Sequence, residues 1–239
     1  MGDLAQLRSD VLEANLALPA HGLVKLTWGN VSGVDRDRGV MAIKASGTDY
    51  AAMTAQDVVL VELDRGEVVT DPGVTDPAHP RRPSTDTPTH RALYNALDGI
   101  GGIVHTHSTW ATAWAQAGQE IPLLGTTHAD LMPRAVPITR QLTSEEVQRD
   151  YEGETGTVLI ELVGDRIDEI PAALVRGHAP FCWAATPAKA VEVAVTLEEV
   201  ARLALLTRLV DPDGGALADV LRDKHHQRKH GPDAYYGQR

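Results

Sequence analysis

Only one cysteine, Cys182, stands in the 239 residues, so no disulfide can close within the chain, and this usage suits a reducing compartment. Aromatic residues are nearly as scarce. With one Phe and 4% aromatics in all, the core must be built mainly from Val, Leu, Ile and Ala. Long apolar runs are missing too: the longest stretch free of Asp, Glu, Lys and Arg, Gly99 to Gln119, carries His, Gln, Thr and Gly and does not read as a membrane span. The first twenty residues hold Asp3, Arg8, Asp10 and Glu13 and no signal-type apolar segment, so a cytoplasmic protein is expected. Positive charge is also short, with 22 Lys and Arg against 33 Asp and Glu and a formal net charge of −11. Such a surface repels phosphodiester backbones and anionic lipid, which argues against general nucleic-acid or membrane binding. It leaves room for one small phosphorylated ligand in a locally basic pocket.

What the chain does have is apolar bulk: 43% hydrophobic residues suffice for a packed core and are too many for disorder. No linker composition appears, so residues 1–239 read as a single large domain. Leu4, Leu7, Val11, Ala14 and Leu18 step by three or four, predicting a helix that stops at Pro19. From Leu23 to Leu63 the pattern is short and β-rich, clearest at Val58–Val61. Asp71 to Pro83 is rich in Pro and predicts an exposed loop. Thr87 is expected to cap a helix with Pro88 as its first residue. Ile103 to His107 reads as a strand, Thr143 and Glu146 have capping-box spacing, and Val158 to Val163 again reads as a strand. Thr186-Pro187 opens a long helix ending before Asp211, and a last helix runs through Leu217 and Leu221 toward His230 before Gly231-Pro232. Irregular alternation of helices and strands, with several strands in succession, predicts an α/β layered fold around a mixed sheet.

His105-Thr106-His107 is the most informative local feature. On a strand, residues i and i+2 share a face, so both imidazoles could reach one metal ion. Two histidines this close also arise as structural residues. Gly101-Gly102 just before them permits close approach of another backbone. His178 lies among small and apolar residues and reads either as a third ligand or as a satisfied, partly buried histidine. Asp86 could supply an oxygen ligand or serve as a helix cap. The run Lys224 to His230 reads as a solvated helix end carrying cations near its C-terminus.

These residues sit within a longer series. Leu26-Thr27-Trp28-Gly29-Asn30-Val31-Ser32, Ile43-Lys44-Ala45-Ser46-Gly47, Ser84-Thr85-Asp86-Thr87-Pro88-Thr89-His90, His105-Thr106-His107-Ser108 and Gly125-Thr126-Thr127-His128-Ala129-Asp130 occur in this order, followed by His178 and Ala234-Tyr235-Tyr236-Gly237-Gln238. In this order and over essentially the whole chain, they resemble the L-ribulose-5-phosphate 4-epimerases of the class II aldolase and epimerase superfamily. The resemblance implies an α/β fold with a central mixed, largely antiparallel β-sheet flanked by helices. It implies a catalytic Zn2+, with Mn2+ or Co2+ as possible replacements, held by Asp86, His105, His107 and His178. Neutral imidazoles with one carboxylate suit such an ion and leave a net positive centre.

Asn30, Lys44, Ser46, Gly47, Ser84 and Thr85 are then expected to hold the substrate phosphate through hydroxyls, backbone N–H groups and one ammonium. Without the resemblance, Ser46-Gly47 and Ser84-Thr85 read simply as turns. Thr85 stands where Ser is expected, and its extra methyl tightens the pocket. By resemblance Asp130 and Tyr236 are the catalytic acid–base pair, with Thr126 and His225 assisting in the substrate pocket. The implied reaction converts L-ribulose 5-phosphate to D-xylulose 5-phosphate, a step of pentose (arabinose-type) catabolism, by cleaving and re-forming the C3–C4 bond. The implied assembly is a cyclic homotetramer in which the tail 231–239 reaches a neighbouring subunit. Two alternatives are a sugar-phosphate aldolase of the same fold and a scaffold that has lost its metal. The aldolases carry Glu at the position of Asp86, which favours the epimerase.

Overall fold

The computed structural model describes residues 4–70 and 80–236. Its centre is a six-stranded sheet in the order β3-β2-β1-β4-β6-β5, formed by β1 (Asn30–Asp35), β2 (Val40–Lys44), β3 (Val58–Glu62), β4 (Gly102–His105), β5 (Ala172–Leu174) and β6 (Pro180–Ala184). Every pairing between these strands is antiparallel, and the one parallel bridge among the described residues joins Ile138, outside the strands, to Leu174 at the end of β5. Strands such as Val40–Lys44 and Gly102–His105 are buried at every position. A strand buried on both faces needs a cover on both, and β1 shows how this is arranged. A Cβ at Gly33 would meet Val11 and Leu7 of α1 (Leu4–Ala20) and Pro187 of α6 (Pro187–Val210) at about 3 Å. The neighbouring Ser32 points the other way, its Oγ bonded to His90 Nδ1 at 2.7 Å and Tyr94 Oη at 2.9 Å on α2 (Thr87–Ala96). The sheet is therefore sandwiched between α1 with α6 and α2, and α5 (Ser144–Val163) packs against α2.

Gly101 and Gly102 allow the close approach that their sequence suggests. A Cβ at Gly101 would lie 2.1 Å from the Ala185 carbonyl, and one at Gly102 would lie 2.4 Å from Pro187 N. Thr143 and Glu146 form the expected capping box, and Thr186 caps α6 by accepting from Lys189 N. Three further helices, α3 (Thr109–Ala117), α4 (Thr126–Leu131) and α7 (Asp219–His230), pack around these elements. Among the described residues no helix is long and apolar enough to cross a membrane.

Several expectations need correction. Val158 to Val163 is the end of α5, not a strand: Thr155, Leu159 and Val163 are buried at four-residue spacing, and a short apolar run does not reveal its own period. The strand predicted to reach His107 closes at His105, and Thr106-His107 lead into α3 through Ser108 at the N-cap. Asp86 rather than Thr87 occupies the cap of α2, but its side chain makes no capping bond. Most of the Asp71–Pro83 loop, residues 71–79, lies outside the described residues.

Candidate metal and phosphate site

The site is built where β1 begins and β4 ends, on the α2 face of the sheet. Asn30 is opposite His105 across β1 and β4, and His105 is opposite Phe181 across β4 and β6. Opposed residues of an antiparallel pair share a face, so these three side chains stand together. The His105 ring stacks on Phe181 with centroids 4.2 Å apart, and its Nδ1 lies 3.0 Å from the Pro180 carbonyl. A carbonyl only accepts, so Nδ1 carries the proton and the Nε2 lone pair is left free. Gly29, at φ +87°, lets the preceding loop close onto this strand end, for a Cβ there would lie 2.9 Å from the His105 carbonyl.

His107 enters from the turn into α3, and His178 from the turn before β6, where Gly177 has φ +75°. His105, His107 and His178 bring ring nitrogens within 4.8 Å of one another, and Nε2 of His107 is 3.2 Å from Nε2 of His178. Two nitrogens each about 2.0–2.1 Å from a tetrahedral ion lie roughly 3.3 Å apart. Burial, followed by the neighbouring rings, lowers the pKa of His178 to about 4; burial and His105 lower that of His107. Both rings are neutral near pH 7, the form that ligates a cation. The donor set therefore fits a borderline divalent metal.

Asp86 stands beside the cluster. Its Oδ2 accepts from Asn30 Nδ2 at 2.6 Å and from Ser84 Oγ at 3.3 Å. Burial favours protonation of this carboxyl, but His105, His90, the Asn30 bond and His178 outweigh it and hold the group below the usual carboxylate range. His90, which sequence reading left without a role, is fully buried, with its pKa pushed down to about 3 by burial.

A cavity of about 620 Å3 gathers Asp86 and the three histidines with Asn30, Lys44, Ser46, Gly47, Ser84 and Thr85. The local backbone explains this convergence. Beyond β2 the chain pairs with the segment ahead of α2: Ser84 N donates to the Lys44 carbonyl at 3.0 Å, and Ser46 N to the Arg82 carbonyl at 2.9 Å. The two hydroxyl-bearing segments are thus held side by side. Lys44 is buried, its Nζ 4.9 Å above the Tyr50 ring and making only long bonds of 3.4 Å to the carbonyls of Thr27 and Ala45. Asn30 Oδ1 is buried and has no hydrogen-bond partner among the described residues. A ligand hydroxyl placed there satisfies it.

The remaining candidates form a second group outside this cavity. Asp130, on α4, accepts from both arms of Arg228 (Nε to Oδ1 3.1 Å, Nη2 to Oδ2 2.8 Å), and His225 Nδ1 lies 3.2 Å from Oδ1. Burial acts to raise this carboxyl, and Arg228 with His225 overcomes it, so Asp130 is held below the usual range. The Arg228 guanidinium lies 4.3 Å from the centroid of the Tyr236 ring. Asp130, His225 and Tyr236 thus travel together on one chain, and none of them lines the three-histidine cavity of that chain. The run Lys224–His230 is therefore only partly a solvated helix end, since His225 and Arg228 turn onto α4 and His230 Nε2 lies 2.8 Å from the Asp130 carbonyl. Thr126, at the start of α4, lines a separate groove against α6.

Residues 9–205 match the family model described as Class II Aldolase and Adducin N-terminal domain. The chain belongs to the class II aldolase family. It is 48% identical over 238 residues to L-ribulose-5-phosphate 4-epimerase UlaF of Salmonella typhi, covering 99% of this chain and 100% of that protein. The same protein from Salmonella paratyphi B shows the same identity and coverage. Among solved structures, an L-fuculose 1-phosphate aldolase superposes with a TM-score of 0.75 at 21% identity, covering 93% of this chain and 95% of the aldolase. The L-fuculose-1-phosphate aldolase of Thermus thermophilus gives 0.66 at 25% identity, with 88% and 99% covered. Both share the sandwiched sheet of this class II aldolase chain.

Three residues of this class II aldolase chain escape the sequence reading. Tyr151 and Glu152 wall the cavity because α5 breaks at Asp150, and Arg228 joins Asp130 to Tyr236. The signal for the first two was Asp150 three residues ahead of Gly153, a capping residue inside an otherwise helical segment.

Proposed function

We propose that this class II aldolase chain is an L-ribulose-5-phosphate 4-epimerase, with Zn2+ held by His105, His107, His178 and Asp86. One observation carries the reading: three imidazoles converge in the same cavity as an amide, three hydroxyls and a buried ammonium suited to a phosphate. The 48% identity to curated epimerases along the whole chain supports it.

Inverting C4 of a 2-ketose phosphate without redox requires breaking C3–C4, turning the aldehyde over and re-forming the bond. A bound dipositive ion supplies the positive charge that stabilises the enediolate electrons released by cleavage. The protein's own groups do the rest. Ser46, Ser84, Thr85 and Lys44 anchor the phosphate and so fix one end of the aldehyde fragment. Asn30 presents its unpaired Oδ1 to a substrate hydroxyl while its amide holds Asp86. Asp130, kept ionised by Arg228 and His225, exchanges a proton with the C4 oxygen on one face. Tyr236 does so on the other. Because these two groups lie outside the cavity of their own chain, they serve a neighbouring chain's cavity in a cyclic homotetramer. The enzyme acts in the cytoplasm on pentulose phosphates.

The test is an assay with L-ribulose 5-phosphate that follows all products. D-xylulose 5-phosphate is expected. Stoichiometric dihydroxyacetone and glycolaldehyde phosphate without xylulose 5-phosphate would sink the epimerase reading and leave an aldolase.

A further inference from the structure

α5 is a single helix only in outline. Asp150 leaves helical geometry at φ −166° and ψ 82°, and its Oδ1 accepts from Gly153 N at 3.2 Å, so it caps a second helix that starts inside the first. Gly153 leaves room for this cap, because a Cβ there would fall 2.1 Å from Asp150 Oδ2 and push that side chain aside. On the far side of the break the chain is fastened twice: Thr155 Oγ1 donates to the Tyr151 carbonyl at 2.8 Å, and buried Thr89 donates to the Glu152 carbonyl at 2.6 Å. The result is that Tyr151 faces the cavity, with its hydroxyl 2.9 Å from His178 Nδ1 and its ring 6.0 Å from the imidazole at 28°.

We infer that Tyr151 is a positioning residue for His178: its oxygen accepts the Nδ1 proton and thereby presents Nε2 to a cation in the three-histidine cluster. The inference deepens the reading of that cluster as a metal site and rests on it. The chemistry is directional. A histidine that ligates through Nε2 carries its proton on Nδ1, and that proton needs an acceptor. For His105 the Pro180 carbonyl provides it, and for His178 the acceptor at hydrogen-bond distance is the Tyr151 oxygen. Since a phenol also donates, its own proton remains available to a ligand in the cavity. Nothing in the apolar pattern of α5 demands this break. The Asp150 cap and the Thr89 anchor make sense as a means of aiming Tyr151.

The experiment compares wild type with Tyr151→Phe, which keeps the ring and removes only the oxygen. Zn2+ affinity is measured by competition with a chromogenic chelator, Co2+ is used to record the absorption spectrum of the site, and the melting temperature is taken on metal-free protein. Expected are Zn2+ binding weakened on the order of 10–100-fold, a shifted Co2+ spectrum, and a melting temperature unchanged in the metal-free state. Equal affinity and an identical Co2+ spectrum would overturn the inference, as would a loss beyond about a thousandfold, which would make Tyr151 itself a ligand. Wild type that binds neither ion would instead refute the metal reading beneath it, so the two failures are distinguishable.

Discussion

Nε2 of His107 and Nε2 of His178 stand 3.2 Å apart, close to the separation of two ligands on one tetrahedral ion. They belong to turns far apart in sequence, one leading into α3 and one ahead of β6. Their meeting therefore depends on the sheet, in which β4 and β6 are direct neighbours.

His107 is the exposed member of the trio, so His107→Asn should remove a ligand without disturbing the core. Bound metal is expected to fall below about a tenth of an equivalent and the rate by at least a hundredfold. The circular dichroism spectrum should match wild type. Metal analysis showing full occupancy would mean that His107 is not a ligand.

Ser46→Ala should act mainly on substrate binding. A phosphate contact is made in the ground state and the transition state alike, so KM is expected to rise about 5–10-fold with kcat within about twofold. Steady-state kinetics with L-ribulose 5-phosphate decide the matter, and an unchanged KM counts against Ser46 as a phosphate donor.

The placement of Asp130 with Tyr236 on one chain dictates how a shared site must be tested. Mixing Asp130→Asn with Tyr236→Phe chains removes two members of the same group and should restore little. Mixing His107→Asn with Asp130→Asn subunits should restore activity, because random reassembly joins an intact cluster to an intact Asp130 at about a quarter of the interfaces. Verified hybrids as inactive as both parents would place the whole site within one chain.

Acid should destabilise the fold through its buried histidines. Burial lowers His90 to about 3 and His128 to about 4, whereas both titrate near 6.5 when unfolded. Their contribution is complete above pH 6.5 and is lost as pH falls from there toward the folded values, because the unfolded chain binds the extra protons. The two together give up to about 2.7 kcal/mol per pH unit near pH 5. Urea titrations with a chelator present should show His90→Gln removing about one proton from that slope. An equal slope in the variant would exclude His90 as a source.

Much of the cavity was legible in sequence because its residues lie in short segments with unusual chemistry: paired histidines, serine–glycine turns, an Asp ahead of a helix. The Gly101-Gly102 contact with Ala185 and Pro187 was likewise readable from the absence of side chains. What was hidden depended on long-range packing or on direction. Val158–Val163 looks the same as a strand or a helix until the capping box at Thr143 is extended across the break at Asp150. Tyr151 carries no local mark of function, since its meaning comes from a histidine 27 residues away. His105 and His107 do come together, but not by sharing a strand face, since β4 closes at His105 and His107 is placed by a turn.

A segment that must reach a neighbouring subunit, as the resemblance implies for 231–239, could be a loose one ordered only on contact. Instead the N–H groups of Tyr235 and Tyr236 both donate to the Arg228 carbonyl, at 2.9 and 3.0 Å, folding the chain back onto the helix it has just left. Fixing a backbone costs about 1–2 kcal/mol per residue, and here the segment is ordered before any encounter. A subunit receiving Tyr236 in the proposed assembly meets a rigid finger rather than a tether. Association then depends on the fit between two preformed surfaces, and a substitution at Arg228 would free the Tyr236 ring from the guanidinium while the two backbone bonds kept the finger folded.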